Sequence, residues 1–322
     1  MVDITNRQPL VTVGICCYNR EKGFNDTLEY IRGQTYKNLE IIISQDFNPN
    51  LDLTPVVAAK NDDRITFYKQ QKKLSMYNNF LFLLEKANGE YFMWAADDDW
   101  WAPGFVEIIM NELIAHHECV AGHPDFIAVD EANNKITSYP DFLPLLQEFA
   151  INSDIKRVTN FINQYEGFGK ANLFYSIFKT SALRTKQVAA LLKEGNLPCD
   201  MLIVLSVLLQ GNIAIIPQLL RSCTTENVKH YSQVARQDKL VNVGIAYINT
   251  GGISATHKKW GKYLYDHFKL VNNSDFSFVK KLAIYPVVIK KILLFYFDVF
   301  CYNVRLRGYD VFSKFRRKYH LN

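Results

Sequence analysis

Tyr91-Phe-Met-Trp-Ala-Ala-Asp-Asp-Asp99 is an apolar run that ends abruptly in three consecutive carboxylates. Its first six residues are aromatic or apolar, a composition typical of a parallel strand that is buried on both faces. Asn88-Gly89 directly precedes the run and ends the helix before it. The three aspartates therefore follow a predicted buried strand, at its carboxyl end.

Two similar strand and helix units precede this run. In the first, Val11-Thr-Val-Gly-Ile-Cys-Cys17 predicts a buried strand, apolar residues at helical spacing follow it, and Gly33 ends the helix. The second unit has an apolar helical pattern over Met76 to Ala87. Because strands alternate with helices, the sequence predicts an α/β fold with an open, mostly parallel sheet covered by helices. The predicted strands are Val11–Cys17, Leu39–Ser44, Arg64–Tyr68 and Tyr91–Ala96.

Polar side chains follow three of these strands. Tyr18-Asn-Arg20 comes after the first strand, Asp46 after the second, and Asp97 to Asp99 after the last. Ligands of such sheets bind beyond the carboxyl ends of the strands. We expect these residues to line one cleft.

Beyond Pro103 the pattern is mixed, and we interpret this half as a second wall of the cleft. The polar stretch 130–169 predicts no regular structure. The elements predicted outside it are helices over Phe105–Leu113, Ser181–Leu192 and Asp200–Leu209, and strands over Phe126–Val129, Leu173–Phe178 and Ile213–Ile216, the last closed by Pro217.

Three adjacent carboxylates repel one another and raise each other's pKa unless a positive charge lies among them. A hard divalent cation is the natural partner, because carboxylate oxygens suit Mg²⁺ or Mn²⁺ and such ions commonly bridge to phosphate oxygens. The alternative is a solvated turn in which the aspartates cap the helix that begins near Pro103. The pattern alone leaves both interpretations open.

Three motifs, in this order and spacing, resemble glycosyltransferase family 2. They are Val11-Thr-Val-Gly-Ile-Cys-Cys-Tyr-Asn-Arg20, Gln34-Thr-Tyr-Lys-Asn-Leu-Glu-Ile-Ile-Ile-Ser-Gln-Asp46 and Gly89-Glu-Tyr-Phe-Met-Trp-Ala-Ala-Asp-Asp-Asp-Trp-Trp-Ala-Pro103. The resemblance covers residues 10–110 well and 170–225 loosely. It implies the open GT-A sheet, a nucleotide-sugar donor, a divalent metal (Mn²⁺ or Mg²⁺) and inversion at the anomeric carbon. It favours a UDP-sugar, with GDP- and dTDP-sugars as alternatives.

The resemblance also implies roles for individual residues. Asp46 would accept a hydrogen bond from the base, and Asp97 would lie near the ribose. Asp98 aligns with the carboxylate that binds the metal, and Asp99 would either bind the metal or orient its waters. The residues that would hold the nucleotide are Cys16, Tyr18, Asn19 and Arg20.

Two departures from the family pattern qualify these roles. Ala96 stands where the family often has an acidic residue, which leaves the number of direct metal ligands open. Gln45 stands where a paired aspartate is common, so the identity of the base is not predicted. Asn79 and Arg64 also resemble donor-side residues, although each is equally compatible with an ordinary helix-end or surface position.

Inverting transfer needs a base that takes a proton from the acceptor hydroxyl and a positive group that stabilises the departing diphosphate. Asp200 is the predicted base, because it opens an apolar helix about a hundred residues after the aspartates, where the family places its base. The alternative is that Asp200 caps this helix, which is a very common role for aspartate.

Other polar and aromatic residues give weaker signals. His230 is a candidate for contact with the metal or pyrophosphate, but a lone histidine is more often a surface residue. Trp100 and Trp101 fit either sugar stacking or core packing. Lys72 and Lys73 fit phosphate attraction less well than a solvated pair of charges.

Composition excludes some classes of function. The six cysteines show neither a disulfide framework nor paired metal-ligand spacing, so we expect reduced thiols. The first ten residues lack the apolar core of a secretory signal, so we expect a cytoplasmic protein.

Residues 276–322 carry ten Lys/Arg and two Asp, a net charge of +8, which leaves −3 for the remainder of a chain whose total is +5. A body of this charge disfavours nucleic-acid binding.

The basic tail is also rich in large apolar residues. Lys290, Lys291 and Asp298 interrupt its apolar stretch, so it does not predict a membrane span. Its composition suits a helix that lies on an anionic membrane surface, peripheral at the cytoplasmic face. The alternatives are a helical pair packed on the catalytic domain and a dimer contact.

The sequence thus predicts a GT-A domain over 1–225, a connecting segment over 226–275 and a helical basic extension over 276–322. Within the domain, 10–110 would bind the donor and 111–225 the acceptor, a glycan or lipid-linked glycan of polysaccharide biosynthesis. A nucleotidyltransferase is disfavoured because no Gly-rich phosphate loop follows the first strand. The remaining alternative is a non-catalytic nucleotide-sugar-binding or scaffold protein, which Ala96 and Gln45 favour and Asp98, Asp99 and Asp200 oppose.

Overall fold

The computed structural model describes residues 8–130, 135–138, 142–147, 150, 152–164, 166, 169–195, 198–224 and 252–297. Within these ranges nine strands form one sheet, in the order β3-β2-β1-β4-β8-β6-β9-β5, with β7 paired to β6. The first four strands are mutually parallel, and the predicted α/β sheet is confirmed.

The first half of the predicted domain, residues 10–110, follows the predicted alternation of strands and helices closely. Each strand begins within a residue of its predicted start, and the helix pattern over Met76 to Ala87 is confirmed. The elements are β1 Val11–Cys17, α1 Glu21–Arg32, β2 Leu39–Gln45, α2 Thr54–Ala58, β3 Ile65–Lys69, α3 Met76–Lys86 and β4 Tyr91–Ala95.

Side chains alternate between the two faces of β4 and join two separate cores. Phe92 and Trp94 lie in the core under α3, whereas Met93 and Ala95 lie in the core under α1. Both faces are buried because helices cover both, and this explains why the strand is continuously apolar. Packing into both cores fixes the position of the carboxyl end of β4, and therefore the position of the aspartates that follow it.

The second half adds antiparallel strands and further helices. Strand β8 runs antiparallel between β4 and β6, and β6 pairs in parallel with the long strand β9. The elements are β5 Trp100–Trp101, α4 Phe105–Ala115, β6 Cys119–Asp130, β7 Lys135–Ser138, α5 Phe142–Gln147, α6 Asp154–Asn163, a 3-10 helix Lys170–Tyr175, β8 Ile177–Lys179, α7 Thr180–Leu183, α8 Lys186–Glu194, α9 Cys199–Leu208 and β9 Asn212–Thr224.

Strand β9 corrects the prediction that Pro217 ends the last strand. The pairing of β6 with β9 shifts register between Ile216 and Leu219, so Pro217 falls in an irregularity of the ladder. A proline there removes no ladder hydrogen bond, and the strand continues to Thr224.

Three other predictions in this half are corrected. The stretch 130–169, predicted to hold no regular structure, contains β7, α5 and α6. The strand predicted over Leu173–Phe178 is a 3-10 helix followed by the short strand β8. The helix turn lets Phe174 stack on Trp94, with ring centroids 4.3 Å apart and planes 9° from parallel. The helix predicted over Ser181–Leu192 is two helices, because Thr185 caps α8 by accepting a hydrogen bond from the Val188 backbone N–H.

Two C-terminal helices pack on the second half of the domain. They are α10 Gly252–Asn272 and α11, residues 278–297. Helix α10 lies within the predicted connecting segment, and the remainder of that segment before it falls outside the described residues. Among the helices described, none combines the length and apolar character that crossing a bilayer requires.

Candidate functional site

The three aspartates occupy the turn between β4 and β5, but their side chains have different surroundings. Asp97 accepts hydrogen bonds from the Cys17 thiol and the Tyr18 backbone N–H, and burial raises the pKa of its carboxyl. The end of β1 therefore holds Asp97 in place, and the first and last predicted motifs meet as expected.

Asp98 is partly exposed and forms an ion pair with Arg20. Burial and then the negative charge of Asp99 raise the pKa of Asp98 to about 6, and the Arg20 guanidinium opposes this shift. Arg20 also lies 3.8 Å from the Asp97 carboxylate. Asp98 thus pairs with a solvent-exposed cation and has the negative charges of Asp99 and Asp97 near it.

Asp99 is buried and has protein partners on both oxygens. Its Oδ2 accepts hydrogen bonds from Arg221 Nε at 2.9 Å and Nη2 at 2.5 Å, and its Oδ1 accepts one from the Thr224 backbone N–H at 3.2 Å. The structure thereby gives Asp99 a positioning role. Its predicted role as a direct metal ligand stays a prediction, and it would require these partners to move.

Arg221 is a residue of this site that the sequence pattern did not reveal. It is buried on β9, and its guanidinium stacks 4.3 Å from the Tyr175 ring centroid and 5.2 Å from that of Trp101. The prediction that the strand ends at Pro217 placed Arg221 outside regular structure. The available signal was an arginine that directly follows two leucines, Leu219-Leu-Arg221.

The backbone of the aspartate turn is fixed by its neighbours. Thr27 Oγ1 of α1 donates to the Asp99 carbonyl at 3.0 Å, and Thr224 Oγ1 donates to the Asp98 carbonyl at 2.6 Å. A Cβ atom at Gly23 would lie 2.6 Å from the Asp97 carbonyl oxygen. Glycine is therefore needed at position 23 so that the first turn of α1 can approach the aspartates.

The residues after β1 and β2 surround the other side of the cleft. Tyr18, Asn19 and Arg20 are exposed, and Lys73 lies over the Tyr18 ring at 4.8 Å. Asp46 is buried, and its Oδ1 accepts from the backbone N–H groups of Phe47 and Leu74, each at 2.8 Å. Asp46 thus holds two loops together.

A cavity of about 440 Å³ opens beside Asp46 at the carboxyl ends of β2 and β3. Gln45 shapes its wall, because its Nε2 donates to the Leu51 carbonyl at 2.6 Å and its Oε1 accepts from the Leu53 N–H at 3.0 Å. The cavity is lined by residues 45–52 and by Lys69, Gln70 and Gln71.

Asn79 and Cys16 lie together beneath the cleft. The Asn79 amide donates to Cys16 Sγ and to the Ser44 carbonyl, both at 3.2 Å. Its Oδ1 is buried without a hydrogen-bond partner among the described residues. Burial raises the pKa of the Cys16 thiol to about 12, so this thiol stays neutral.

Asp200 lies in the first turn of α9, whose N-cap residue is Pro198. The helix begins one residue earlier than predicted, so the alternative role of Asp200 as the N-cap is wrong. Its Oδ1 accepts from the Met201 N–H at 2.9 Å, and burial raises its pKa to about 6. Burial and then the charge of Asp99 raise the pKa of Tyr175, with smaller contributions from Asp200 and Asp98. The charges of both the aspartate turn and Asp200 therefore act on the Tyr175 hydroxyl.

The residues with weaker signals in the sequence lie in different surroundings. Trp101 is buried in the core, whereas Trp100 is 38% exposed beside a second cavity of about 190 Å³ that Asp98 also lines. Arg64 precedes β3 and donates to Asp62 and to the Arg32 carbonyl, so it lies at the opposite end of the sheet from the cleft. His230 lies outside the described residues.

The side-chain oxygens at the aspartate turn can be compared with the ligands that a divalent metal requires. No cluster of three His, Cys, Asp or Glu side chains suited to a metal occurs in the described ranges. Asp98 remains as a partly exposed carboxylate of raised pKa, which is the environment that a cation would relieve. One carboxylate together with phosphate oxygens and waters is a common donor set for Mg²⁺. The site therefore fits a metal that arrives with a diphosphate.

Comparison with known proteins gives one family match and several relatives. The model described as Glycosyl transferase family 2 matches residues 12–180, more than half of the chain. A GalNAc(5)-diNAcBac-PP-undecaprenol beta-1,3-glucosyltransferase from Campylobacter jejuni is 27% identical over 187 residues, which are 56% of this chain and 54% of the relative. An uncharacterized glycosyltransferase from Haemophilus influenzae is 30% identical over 141 residues, 44% of this chain and 38% of the relative. The chain thus spans about half or less of these relatives.

Solved structures agree on the architecture. TarS residues 1–349 from S. aureus, in complex with UDP, superposes with a TM-score of 0.57 at 13% identity, over 84% of this chain and 68% of that one. The mannosyltransferase PcManGT from Pyrobaculum calidifontis, in complex with GDP-Man and Mn²⁺, gives a TM-score of 0.50 at 16% identity, over 90% and 70%. At these identities the similarity shows the fold alone.

Proposed function

Because the chain belongs to glycosyltransferase family 2, we propose that it moves a sugar from a nucleotide-sugar donor to a hydroxyl of a glycan, with inversion at the anomeric carbon. The transferase class follows from the family, and the donor, metal and residue roles are the proposal. One observation carries it: the Tyr175 ring lies 4.3 Å from the Arg221 guanidinium that pairs with Asp99, and the charges of both Asp99 and Asp200 act on the Tyr175 hydroxyl. This observation supports a charge-binding site and a base that serve the same cleft.

Asp98 would hold a divalent cation, Mn²⁺ or Mg²⁺. Such an ion, when bound, neutralises the charge that develops on the departing diphosphate. Asp98 is preferred over Asp99 because both Asp99 oxygens already accept hydrogen bonds from Arg221 and Thr224. In this proposal Asp99 and Arg221 set the position of Asp98, and Arg20 lies where it also reaches a phosphate.

Asp200 would be the general base. Its pKa of about 6 lies near the pH at which an intracellular base must accept a proton, which is the condition for efficient general base catalysis. The backbone N–H groups of Met201 and Asp200 donate to its carboxyl, and the acceptor hydroxyl would donate to an oxygen of the same group. Inversion needs only one such carboxylate, because the hydroxyl attacks the anomeric carbon directly and the proton passes to Asp200.

The nucleotide would bind along the ends of β1 and β2. Tyr18, Asn19 and Arg20 are exposed there, and the cavity beside Asp46 is large enough to accept a base. Asp97 would lie near the ribose, with Cys16 and Asn79 forming the floor. The UDP and GDP-Man bound by TarS and PcManGT support a nucleotide donor and leave the base open, with UDP preferred.

The acceptor would be a lipid-linked glycan at the cytoplasmic face of a membrane. The Campylobacter jejuni relative acts on an undecaprenol-linked glycan by its name. A relative from Escherichia coli, 28% identical over 142 residues, 42% of this chain and 48% of the relative, is named "Putative colanic acid biosynthesis glycosyl transferase". These relatives support surface polysaccharide assembly as the setting. The competing function is a nucleotide-sugar-binding scaffold without turnover, for which Ala96 and Gln45 remain the supporting features.

Calorimetric titration with UDP, GDP, dTDP and their sugar conjugates, each with and without Mn²⁺, tests the donor site without an acceptor. We expect metal-dependent binding of one nucleotide, lost in Asp98→Asn and retained in Asp63→Asn, an exposed aspartate before β3. Asp200→Asn should bind the donor normally and fail to transfer the sugar. Full turnover by Asp200→Asn would exclude the proposed base, and absence of any nucleotide binding would exclude the donor site. Donor binding without transfer by the parent protein would favour the scaffold.

A further inference from the structure

Helix α11 has two opposite faces. Its inner face packs on the domain through Ile284, Val288, Lys291 and Phe295, all buried and spaced three or four residues apart. The opposite side, here called the outer face, exposes seven large apolar side chains, each between 48% and 73% exposed. They are Phe278, Val279, Leu282, Ile289, Leu293, Tyr296 and Phe297.

The inner face is anchored by a buried charge cluster. Lys291 Nζ contacts Glu166 at 2.7 Å and also donates to the Gln164 carbonyl at 3.1 Å. Lys170 Nζ and the Tyr263 hydroxyl of α10 bind the same Glu166 oxygen, at 2.9 and 3.1 Å. Because Lys291 is buried and its carboxylate partner belongs to the domain, α11 cannot rotate to hide its outer face without breaking this ion pair.

The outer face is an unusual surface for a protein that stays in water. Seven large apolar side chains on one side of a helix form a contiguous patch of the kind that marks an interaction site. Positive charge accompanies it: Lys290 is exposed on α11, and Lys280 and Lys281 lie in its first turn. The sequence that follows α11 adds six more Lys/Arg within 25 residues, against two Asp.

We propose that the outer face of α11 docks on an anionic lipid bilayer, with the helix lying parallel to the membrane plane. An apolar face supplies insertion to the depth of the acyl boundary, and the flanking basic residues supply attraction to anionic headgroups. The net charge of +8 over residues 276–322, on a body of −3, fits an anionic surface better than a second copy of the chain.

This docking also orients the enzyme. Helix α11 contacts the second half of the domain, since Lys280 pairs with Asp154 of α6 and Lys291 pairs with Glu166. The bilayer would therefore lie on the acceptor side of the domain. The delivery of a lipid-linked acceptor from that side rests on the proposed function, whereas binding to a bilayer does not.

Sedimentation of the full chain with vesicles tests the proposal. We expect binding to vesicles of phosphatidylcholine with about a third phosphatidylglycerol and little binding to phosphatidylcholine alone, with bound protein released by about 0.5 M salt. The variant Leu282→Glu/Leu293→Glu should lower the partition coefficient about tenfold or more. The control Ile136→Glu/Leu219→Glu makes the same changes at exposed apolar residues of β7 and β9 and should bind as the parent does.

Each other outcome opposes the proposal. A parent chain that remains in the supernatant with both vesicles excludes bilayer docking, and retained binding by Leu282→Glu/Leu293→Glu places the membrane contact elsewhere. If the parent is a dimer without vesicles and this variant is a monomer, the outer face is a self-interface. Calorimetric nucleotide binding, measured on each variant, confirms that the domain is folded and separates this test from that of the donor site.

Discussion

Arg221 donates two hydrogen bonds from its Nε and Nη2 atoms to a single oxygen of Asp99. The pair is buried between β9 and the aspartate turn, and the Tyr175 ring covers the guanidinium. The aspartate turn carries three carboxylates, and one of them, that of Asp99, attaches the turn to strand β9 through Arg221. Breaking this pair should affect both stability and activity.

Arg221→Met should lower the free energy of unfolding by about 3–5 kcal/mol, because it leaves the Asp99 carboxylate buried without a counter-charge. Denaturant unfolding at neutral pH measures this change. The double variant Arg221→Met/Asp99→Asn should regain part of the loss, since the uncompensated charge is gone. A loss below about 1 kcal/mol in the single variant would show that Asp99 is neutral or hydrated in the folded protein.

Gly23→Ala tests the close approach of α1 to the aspartate turn. The added Cβ would lie 2.6 Å from the Asp97 carbonyl, so the turn or the helix must shift, and we expect destabilisation of about 1–3 kcal/mol together with weaker donor binding. Gly104→Ala is the matched control, because its Cβ meets only the flexible end of Ile108 at 3.1 Å. Equal behaviour of the two variants in unfolding and titration would contradict the need for glycine at position 23.

The part of the fold from β1 to β4 was predictable because the apolar pattern of each strand agrees with the strand order of the whole sheet. Each strand from β1 to β4 is a short apolar run between polar residues, and parallel order then brings the polar ends to one edge. The second half was less predictable because tertiary contacts decide it. Pro217 is tolerated only because β6 and β9 shift register around it, and the 3-10 helix is selected by the stacking of Phe174 on Trp94.

The roles assigned to the site residues stay predictions, and the pairing of these residues with one another could not be predicted. Sequence spacing placed Asp97, Asp98 and Asp99 together, but it carries no information on which one a distant arginine will neutralise. Arg221 lies 122 positions after Asp99, and only the path of β9 brings them into contact. The same limit applies to Glu166, whose two lysine partners come from different helices.

Glu166→Gln and Lys291→Met should differ in their effect on stability. Glu166→Gln leaves Lys170 and Lys291 buried without a carboxylate, so we expect a loss of about 3–5 kcal/mol, whereas Lys291→Met leaves the ion pair of Glu166 with Lys170 intact and should cost less. Thermal and denaturant unfolding of the two variants measure the difference. A larger loss in Lys291→Met would instead make the attachment of α11, not the charge balance, the dominant contribution.

The pH dependence of transfer should report Asp200. Its folded pKa is raised from 3.8 to about 6 by burial, and a base must be deprotonated, so kcat/KM should fall as pH drops below about 6. Asp98 has a raised pKa near the same value, but a bound cation keeps it ionised. Measuring kcat/KM against pH at two saturating Mn²⁺ concentrations separates the two groups. If the apparent pKa of the acid side of the profile is the same at both concentrations, it belongs to Asp200. If this apparent pKa changes with the Mn²⁺ concentration, it belongs to Asp98.

The same shift makes Asp200 a cost to stability at neutral pH. A carboxyl whose folded pKa is raised contributes stability that is present below the unfolded pKa of 3.8 and is lost as pH rises through about 6. Asp200→Asn removes the buried charge, so it should raise the free energy of unfolding at pH 8 by about 1–3 kcal/mol and by much less at pH 4. Urea unfolding at both pH values measures the gain. A variant that is less stable than the parent at pH 8 would mean that the ionised Asp200 has partners that stabilise it, and the acid limb of the activity profile would then need another origin.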